Sequence, residues 1–131
     1  MQILVLNGSP RPHGNTAAMV EAFRKGAEEN SHAVIVVNVC QKKIAGCLAC
    51  EYCHQEGSGH ERQCVQKDDM EQFRGMILDA DMMVFVTPLY YYGMSAQLKT
   101  LIDRFCAFNS SLQAKHLKSA LLAAAWNSDT W

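Results

Sequence analysis

Four apolar runs along the chain predict four buried β-strands. They cover residues 1–6, 33–39, 82–87 and 119–125, and Pro88 follows the third of them. Continuous apolar runs of this length are typical of strands that are buried on both faces in a parallel sheet. The pattern therefore predicts an interior sheet rather than a sheet with one face in water.

Apolar residues recur at helical spacing between these runs. The first predicted helix covers residues 16–25 and has Asn15 as its N-cap. The second begins after Asp68 and Asp69, whose negative charges suit a helix N-terminus, and the third covers residues 95–105. Strands that alternate with helices predict a three-layer α/β/α fold, in which helices cover both faces of a parallel sheet.

Length and composition predict a single domain, residues 1–131. At 131 residues and 49% hydrophobic content, the chain can build one core but not two. Residues 41–67 interrupt the alternation of strands and helices, because they hold four cysteines and few residues that could join a core. Loops of this length in compact domains usually carry function, so we interpret the segment as a functional cysteine loop.

Charge and cysteine content narrow the class of protein. The formal net charge is -1 and the charged residues are scattered, so we expect no nucleic-acid partner. Residues 1–6 are too short to cross a bilayer and lack the flanks of a secretory signal, so we expect no membrane partner. Six cysteines without such a signal favour ligation or thiol chemistry in a reducing cytoplasm over a disulfide framework.

The loop after the first predicted strand, residues 8–16, predicts a phosphate site. Gly8 allows close approach of the backbone, Ser9 and Thr16 supply hydroxyls, and the start of the first helix supplies free amides. The loop differs from the lysine-containing P-loop of nucleoside triphosphatases and lacks the dinucleotide fingerprint, so a monophosphate fits best. Arg11 is either a phosphate clamp or a solvated turn charge, and a capped turn without ligand is the alternative for the whole loop.

The loop after the third predicted strand combines aromatic residues with glycine. Tyr90, Tyr91 and Tyr92 precede Gly93. A flat ring ligand needs apolar contacts and a few backbone donors, and this segment offers both, although such a cluster is equally typical of a core or an interface. Ligands bind beyond the carboxyl ends of parallel strands, so we expect both loops to contribute to one site.

Together these motifs resemble the flavodoxin-fold FMN reductases, a group that includes the iron–sulfur flavoproteins. The resemblance spans the chain and rests on Gly8-Ser9-Pro10-Arg11 with Gly14-Asn15-Thr16, Cys47-x-x-Cys50-x-x-Cys53 with Cys64, Asp68-Asp69-Met70, Thr87-Pro88-Leu89-Tyr90, and Ser95-Ala96-x-Leu98-Lys99-x-x-Ile102-Asp103-Arg104. It implies a flavodoxin-like sheet of order 2-1-3-4. Relatives continue with a fifth strand, so by this resemblance the chain is short at its carboxyl end, and residues 126–129 would lie in the loop near the flavin ring.

The resemblance also implies a cofactor and the residues that bind it. The FMN phosphate would be held by Ser9, Arg11, Asn15 and Thr16, and the ring would be lined by Pro88, Leu89, Tyr90, Tyr91 and Gly93. Family members take electrons from NAD(P)H through FMN to a small acceptor such as a flavin or quinone. No catalytic side chain is expected, because the cofactor carries the chemistry. A homodimer or homotetramer is expected by the same resemblance.

The cysteine loop leaves three interpretations open. The candidate ligands of a [4Fe-4S] cluster are Cys47, Cys50, Cys53 and Cys64. Such a cluster would make the chain an electron carrier of the iron–sulfur flavoprotein kind, with a ferredoxin-like partner. Zinc could bind the same cysteines, or His54 or His60 in place of one of them, as in a non-catalytic metal-binding or interaction module. Free thiols in a surface loop are the third interpretation.

Five further residues are assigned structural roles. Cys40 and Cys106 are predicted to be small core residues. The spacing of Lys99, Asp103 and Arg104 predicts ion pairs within the third helix.

Overall fold

The computed structural model describes residues 1–60 and 62–126, and these form a four-stranded parallel sheet flanked by helices. The strand order is β2-β1-β3-β4, as expected. Each strand begins and ends within one residue of its predicted bounds. The strands are β1 (Gln2–Asn7), β2 (Ala33–Asn38), β3 (Met82–Pro88) and β4 (Lys118–Ala124).

Helices occupy the intervals between the strands. They are α1 (Asn15–Glu29), α2 (Met70–Asp79), α3 (Ala96–Asp103) and α4 (Asn109–Ala114), with short 3-10 turns at Val39–Gln41, Tyr52–His54 and Arg104–Phe108. The predicted N-cap of α1 was wrong by one residue. Gly14 holds that position, and its carbonyl accepts from the amide of Ala18 at 3.0 Å, so Asn15 is the first helical residue. Among the described residues, every helix is too short or too polar to span a bilayer.

Two apolar clusters fill the space above and below the central strands. Leu4, Leu6 and Met83 pack with residues of α2 and α3 on one face of the sheet. Val5 and Val84 pack on the other face with residues that include Val20 of α1. Because alternate side chains of β1 and β3 enter different clusters, both faces need apolar residues, which explains the continuous apolar runs of the sequence.

A buried ion pair joins the end of the cysteine loop to the end of α3. Arg104 Nη1 lies 2.7 Å from Asp68 Oδ2, and the Arg104 side chain is 1% exposed. The prediction that Arg104 pairs within its own helix was therefore wrong, whereas the Lys99–Asp103 pair was predicted correctly. Burial disfavours the carboxylate of Asp68 and on its own would raise the pKa. Hydrogen bonds from Arg104 and from the amides of Ala45 and Met70 favour the carboxylate, so the pKa of Asp68 is lowered.

The same pair holds the base of the cysteine loop. Asp68 Oδ2 accepts from the amide of Ala45 at 3.0 Å, and the Ala45 carbonyl accepts from Arg104 Nη1 at 2.8 Å. Asp69 acts in parallel by accepting from the amide of Lys43 at 2.8 Å. The two acidic residues that the sequence places before α2 thus join both ends of a loop that has little apolar material of its own.

Candidate functional site

The turn after β1 is held by backbone hydrogen bonds at the carboxyl edge of the sheet. The amide of Gly8 donates to the carbonyl of Val86 at 2.8 Å, and the amide of Ser9 donates to Asn7 Oδ1 at 3.1 Å. The amide of Arg11 then donates to Ser9 Oγ at 3.3 Å. These bonds fix the direction in which the loop leaves the sheet before α1 begins.

Gly8 is required because α3 approaches the turn closely. A Cβ at this position would lie 2.6 Å from Ser95 Oγ and 2.7 Å from Leu98 Cβ, both far inside contact distance. Ser95 is fully buried, its amide donates to Thr87 Oγ1 at 2.9 Å, and its Oγ accepts from the amide of Leu98 at 3.4 Å as the N-cap of α3. The motif predicts that Gly8 allows close approach of the backbone to a phosphate, whereas in the structure it is α3 that approaches this residue.

A cavity of about 370 Å³ lies between the loop after β1 and the loop after β3. It is lined by Ser9, Arg11, Gly14, Asn15, Thr16, Pro88, Leu89, Tyr90, Ala124, Ala125 and Trp126. The volume falls in the range of small-molecule sites, roughly 300–1,000 Å³. All four predicted phosphate ligands and three of the five predicted ring contacts therefore face one cavity.

The two ends of this cavity differ in chemistry. Ser9, in the loop after β1, and Thr16, in the first turn of α1, are buried hydroxyl residues. The unpaired amides and the dipole at the start of α1 favour an anion. Pro88, Leu89 and Tyr90 provide an apolar wall at the carboxyl end of β3. The arrangement suits a ligand with a phosphate at one end and a flat ring at the other.

Tyr91 and Gly93 occupy a tight turn beside the cavity and do not line it. Tyr90 and Gly93 exchange two backbone hydrogen bonds of 2.9 and 3.1 Å, so the chain reverses at Tyr91 and Tyr92. Both tyrosines have left-handed backbone angles, with φ of 46° and 67°, which non-glycine residues adopt rarely. Tyr91 is 97% exposed, and Gly93 lines a shallower depression with Tyr90.

Cys40 lies in a second, polar cavity behind the first loop rather than in the core. This cavity, of about 410 Å³, is bounded by the ends of β1 and β2 and by one side of α1. Cys40 is half-buried and its Sγ lies 3.3 Å from the carbonyl oxygen of Gly8, a contact that connects the 3-10 turn after β2 to the first loop. Burial raises the pKa of the Cys40 thiol.

Cys106 contacts Cys47 of the cysteine loop, so the prediction that Cys106 is a core residue was wrong. Its Sγ lies 3.6 Å from Cys47 Sγ, and its ligand atom lies within 4.8 Å of those of Cys53 and His54. Cys106 is half-buried and Cys50 is exposed. The motif spacing gave no sign of this contact, because Cys47 and Cys106 are 59 residues apart.

The thiols around Cys106 and the nearby Arg104 have shifted pKa values. Burial, together with the neighbouring thiols of Cys47 and Cys53, raises the pKa of Cys106 to about 12. Burial also raises the pKa of Cys53. Burial disfavours the charged guanidinium of Arg104 and on its own would lower the pKa. Asp68 and the nearby Cys64 favour the charged form, so the pKa of Arg104 is raised. A hollow of about 250 Å³ beside these side chains is also lined by Cys50, Leu48 and Val65.

The fold and the first cavity define a class of protein. The parallel sheet has the order 2-1-3-4, and the cavity lies between a polar loop after β1 and an apolar loop after β3. Flavodoxin-like nucleotide-binding proteins have this arrangement. Within that class, the chain belongs to the NADPH-dependent FMN reductase family, whose sequence model matches residues 1–128. The resemblance deduced from the motifs is thereby confirmed.

Individual relatives agree with this membership. An iron–sulfur flavoprotein of Archaeoglobus fulgidus is 34% identical over 108 residues, which are 82% of this chain and 47% of that protein. A putative NAD(P)H-dependent FMN-containing oxidoreductase of Bacillus subtilis, YwqN, is 30% identical over 105 residues, which are 80% of this chain and 52% of that protein. The chain thus spans about half the length of the curated relatives it matches.

Solved structures confirm the flavodoxin-like fold. An NAD(P)H:quinone oxidoreductase from Methanothermobacter marburgensis superposes with a TM-score of 0.72 and 19% identity, covering 98% of this chain and 66% of that chain. The azoreductase AzrA gives a TM-score of 0.66 and 17% identity, over 95% of this chain and 69% of that chain.

Proposed function

We propose that the chain binds FMN in the cavity between the β1–α1 and β3–α3 loops and serves as an NAD(P)H-dependent oxidoreductase for a small acceptor such as a flavin or quinone. The observation that carries this proposal is the gathering of Ser9, Arg11, Asn15 and Thr16 at one end of a single cavity and of Pro88, Leu89 and Tyr90 at the other. Family membership and the oxidoreductase activities that name the relatives support it.

The residues of the chain have binding and orienting roles in this scheme. Amides and hydroxyls at Ser9, Asn15 and Thr16 would hold the phosphate, with Arg11 as its charged partner. Pro88, Leu89 and Tyr90 would contact the ring and keep water from one side of it. FMN, when bound, supplies the hydride and electron chemistry, so no acid or base on the protein is required for the transfer.

Replacement of Arg11 with alanine should weaken FMN binding about tenfold, because a charge-assisted hydrogen bond to the phosphate is lost, with a cost of roughly 1.5 kcal/mol. Riboflavin, which lacks the phosphate, should bind the variant and the parent equally. Titration of the purified protein into each flavin, followed by quenching of flavin fluorescence, measures both affinities.

Lys25→Ala is the matched control, since it removes the same charge from an exposed site on α1 that pairs with Glu29. It should leave FMN affinity unchanged. The FMN-loaded parent should lose its yellow absorbance when NADPH is added without oxygen. Absence of saturable quenching with the parent protein would refute the proposal, and so would an equal loss of riboflavin affinity in Arg11→Ala.

We also propose that the protein acts in the cytoplasm as a homodimer or homotetramer. Leu121 and Trp126 are 61% and 95% exposed, and Trp126 lines the proposed FMN cavity, so a second copy would cover apolar surface at the site. Cysteines at metal-ligand spacing rather than in a disulfide framework support a reducing compartment. Light scattering of the FMN-loaded protein should give the mass of two or four chains, and a monomer at micromolar concentration would contradict this assembly.

The second candidate, an iron–sulfur flavoprotein-type electron carrier with a ferredoxin-like partner, is favoured by the names of several relatives. A cubane cluster needs four thiolates, and the motif offers Cys47, Cys50, Cys53 and Cys64. All four cysteines line one hollow of about 250 Å³, which Cys106 also borders, and this gathering supports the candidate. The four thiols would hold the cluster there, and the cluster would supply one-electron transfer.

A further inference from the structure

The second, polar cavity lies beside the proposed FMN cavity at the carboxyl edge of the sheet. It is bounded by the ends of β1 and β2 and by one side of α1, and Ser9 and Arg11 line both cavities. Its volume of about 410 Å³ falls in the range of small-molecule sites, roughly 300–1,000 Å³. FMN in the first cavity leaves the second one open to a further ligand.

The charged side chains of the second cavity favour an anion. Arg11 and Arg24 line it together with Glu21, which leaves one net positive charge. The Arg24 guanidinium lies 3.5 Å from Glu21 and 3.7 Å from Glu28, and such exposed pairs contribute little, so the phosphate of a ligand can compete for it. Among the described residues, the Arg11 guanidinium has no hydrogen-bond or ion-pair partner.

Side-chain amides provide the neutral hydrogen-bonding groups of the cavity. Asn7 and Asn38 pair across the ends of β1 and β2, where Asn7 Nδ2 donates to Asn38 Oδ1 at 2.9 Å. Within the described part of the chain Asn38 Nδ2 has no partner, and Gln41 and Gln97 add two further amides to the lining. Each amide can both donate and accept, as the edge of an adenine base requires, and Val36 adds apolar surface for the face of a ring.

The position of the cavity indicates which part of a nucleotide it would bind. In dinucleotide-binding α/β folds, an acidic residue after the second strand binds the ribose 2′-hydroxyl of NAD, whereas a nearby arginine accommodates the 2′-phosphate of NADP. In this chain β2 ends at Asn38, and residues 38–43 read Asn-Val-Cys-Gln-Lys-Lys, without an acidic residue. Because Arg24 lines the same cavity, the end of β2 fits the phosphorylated ribose.

We propose that the second cavity binds the 2′-phosphoadenosine half of NADPH, with Arg24 as the partner of the 2′-phosphate and Asn38 next to the ribose. The assignment rests on the proposed NAD(P)H-dependent function and adds a site that selects NADPH over NADH. Arg24 is a binding residue in this scheme, and its effect is on the choice of cosubstrate.

The direct test is calorimetric titration of 2′,5′-ADP, which has the 2′-phosphate but no nicotinamide, into the full-length chain with and without FMN. The parent should bind 5′-AMP about tenfold more weakly than 2′,5′-ADP, because one charge-assisted contact is missing. Arg24→Ala should bind both nucleotides with the same low affinity. Lys25→Ala removes a neighbouring cation of α1 that lies outside the cavity, and it should bind both nucleotides like the parent.

Two charge variants guard against misfolding as an explanation. Asn38→Asp keeps an acceptor for Asn7 Nδ2 but adds a negative charge at the end of β2, so affinity for 2′,5′-ADP should fall about tenfold or more. Glu21→Gln removes the carboxylate from the lining, so affinity should rise roughly twofold. A gain in affinity cannot result from misfolding.

Kinetics of the FMN-loaded protein give an independent measurement. Arg24→Ala should raise the ratio of the KM for NADPH to the KM for NADH about tenfold. Equal affinity of the parent for 2′,5′-ADP and 5′-AMP would overturn the proposal, as would an unchanged affinity for 2′,5′-ADP in Arg24→Ala. Loss of FMN binding with retention of 2′,5′-ADP binding refutes the FMN cavity and leaves this site standing, and the reverse result refutes only this site.

Discussion

Replacement of Asp68 with alanine should lower the free energy of unfolding by about 3–5 kcal/mol, because it leaves the buried Arg104 guanidinium without its counter-charge. The carboxylate also accepts from the amides of Ala45 and Met70, so the base of the cysteine loop loses its connection to α2 at the same time. Urea denaturation followed by circular dichroism measures the change.

Two further variants separate the cost of an unpaired charge from other effects. Asp103→Ala breaks the exposed Lys99–Asp103 pair and should cost roughly 0.2–1 kcal/mol, as surface pairs do. The double variant Asp68→Ala with Arg104→Met should regain part of the lost stability, since it removes the buried charge itself. A cost for Asp68→Ala no larger than that for Asp103→Ala would show that the buried pair is not a major determinant of stability.

The contribution of Asp68 should also depend on pH in a defined direction. Its pKa is lowered in the folded protein, so the folded state binds the proton less tightly than the unfolded state does. The stabilisation is therefore complete above the unfolded carboxyl pKa of about 3.9 and is lost as pH falls through the lower folded pKa. The difference in unfolding free energy between the parent and Asp68→Ala should shrink below about pH 4.

Gly8→Ala should destabilise the protein by about 3 kcal/mol, the upper end of the usual cost of overpacking. The new methyl group would press on Ser95 and Leu98, so either α3 moves away or the N-cap of α3 is displaced. Because the same turn leads to Ser9 and Arg11, FMN affinity should fall together with stability. Urea denaturation and flavin titration give the two values.

Gly26→Ala is the matched control for this substitution. Gly26 is exposed within α1, and a Cβ there would meet nothing within 4 Å. Alanine at this site should stabilise the protein by about 0.4–1 kcal/mol through the lower entropy of the unfolded chain. If Gly8→Ala were as well tolerated as Gly26→Ala, the close approach of α3 to the turn would not be a constraint on the fold.

The strands were predictable because each carries its own signal. The central strands β1 and β3 are buried on both faces, so their apolar runs are continuous, and a proline or a turn marks their ends. The two loops at the carboxyl edge followed from the same reasoning, and the cavity between them brings together most of the predicted residues. Local patterns were sufficient for these features.

Contacts between distant parts of the sequence were not predictable in this way. Arg104 and Asp68 are 36 residues apart, and the local charge spacing instead favoured an ion pair within the predicted third helix. Cys106 has the ordinary features of a small core residue, and its contact with Cys47 joins positions 59 residues apart, which no local pattern indicates. Tyr91 lies in a tight turn, is 97% exposed and does not line the cavity, so its role as a ring contact stays a prediction.

The position of β1 between β2 and β3 has a consequence for synthesis of the protein. Ile3 pairs with Val34 on one side and with Met82 on the other. A ribosome that adds about 5–20 residues per second reaches the second partner roughly 80 residues after the first strand, or about 4–16 s later. Throughout that interval one edge of the nascent N-terminal strand has no native partner, and a chaperone that covers it would increase the yield of folded protein.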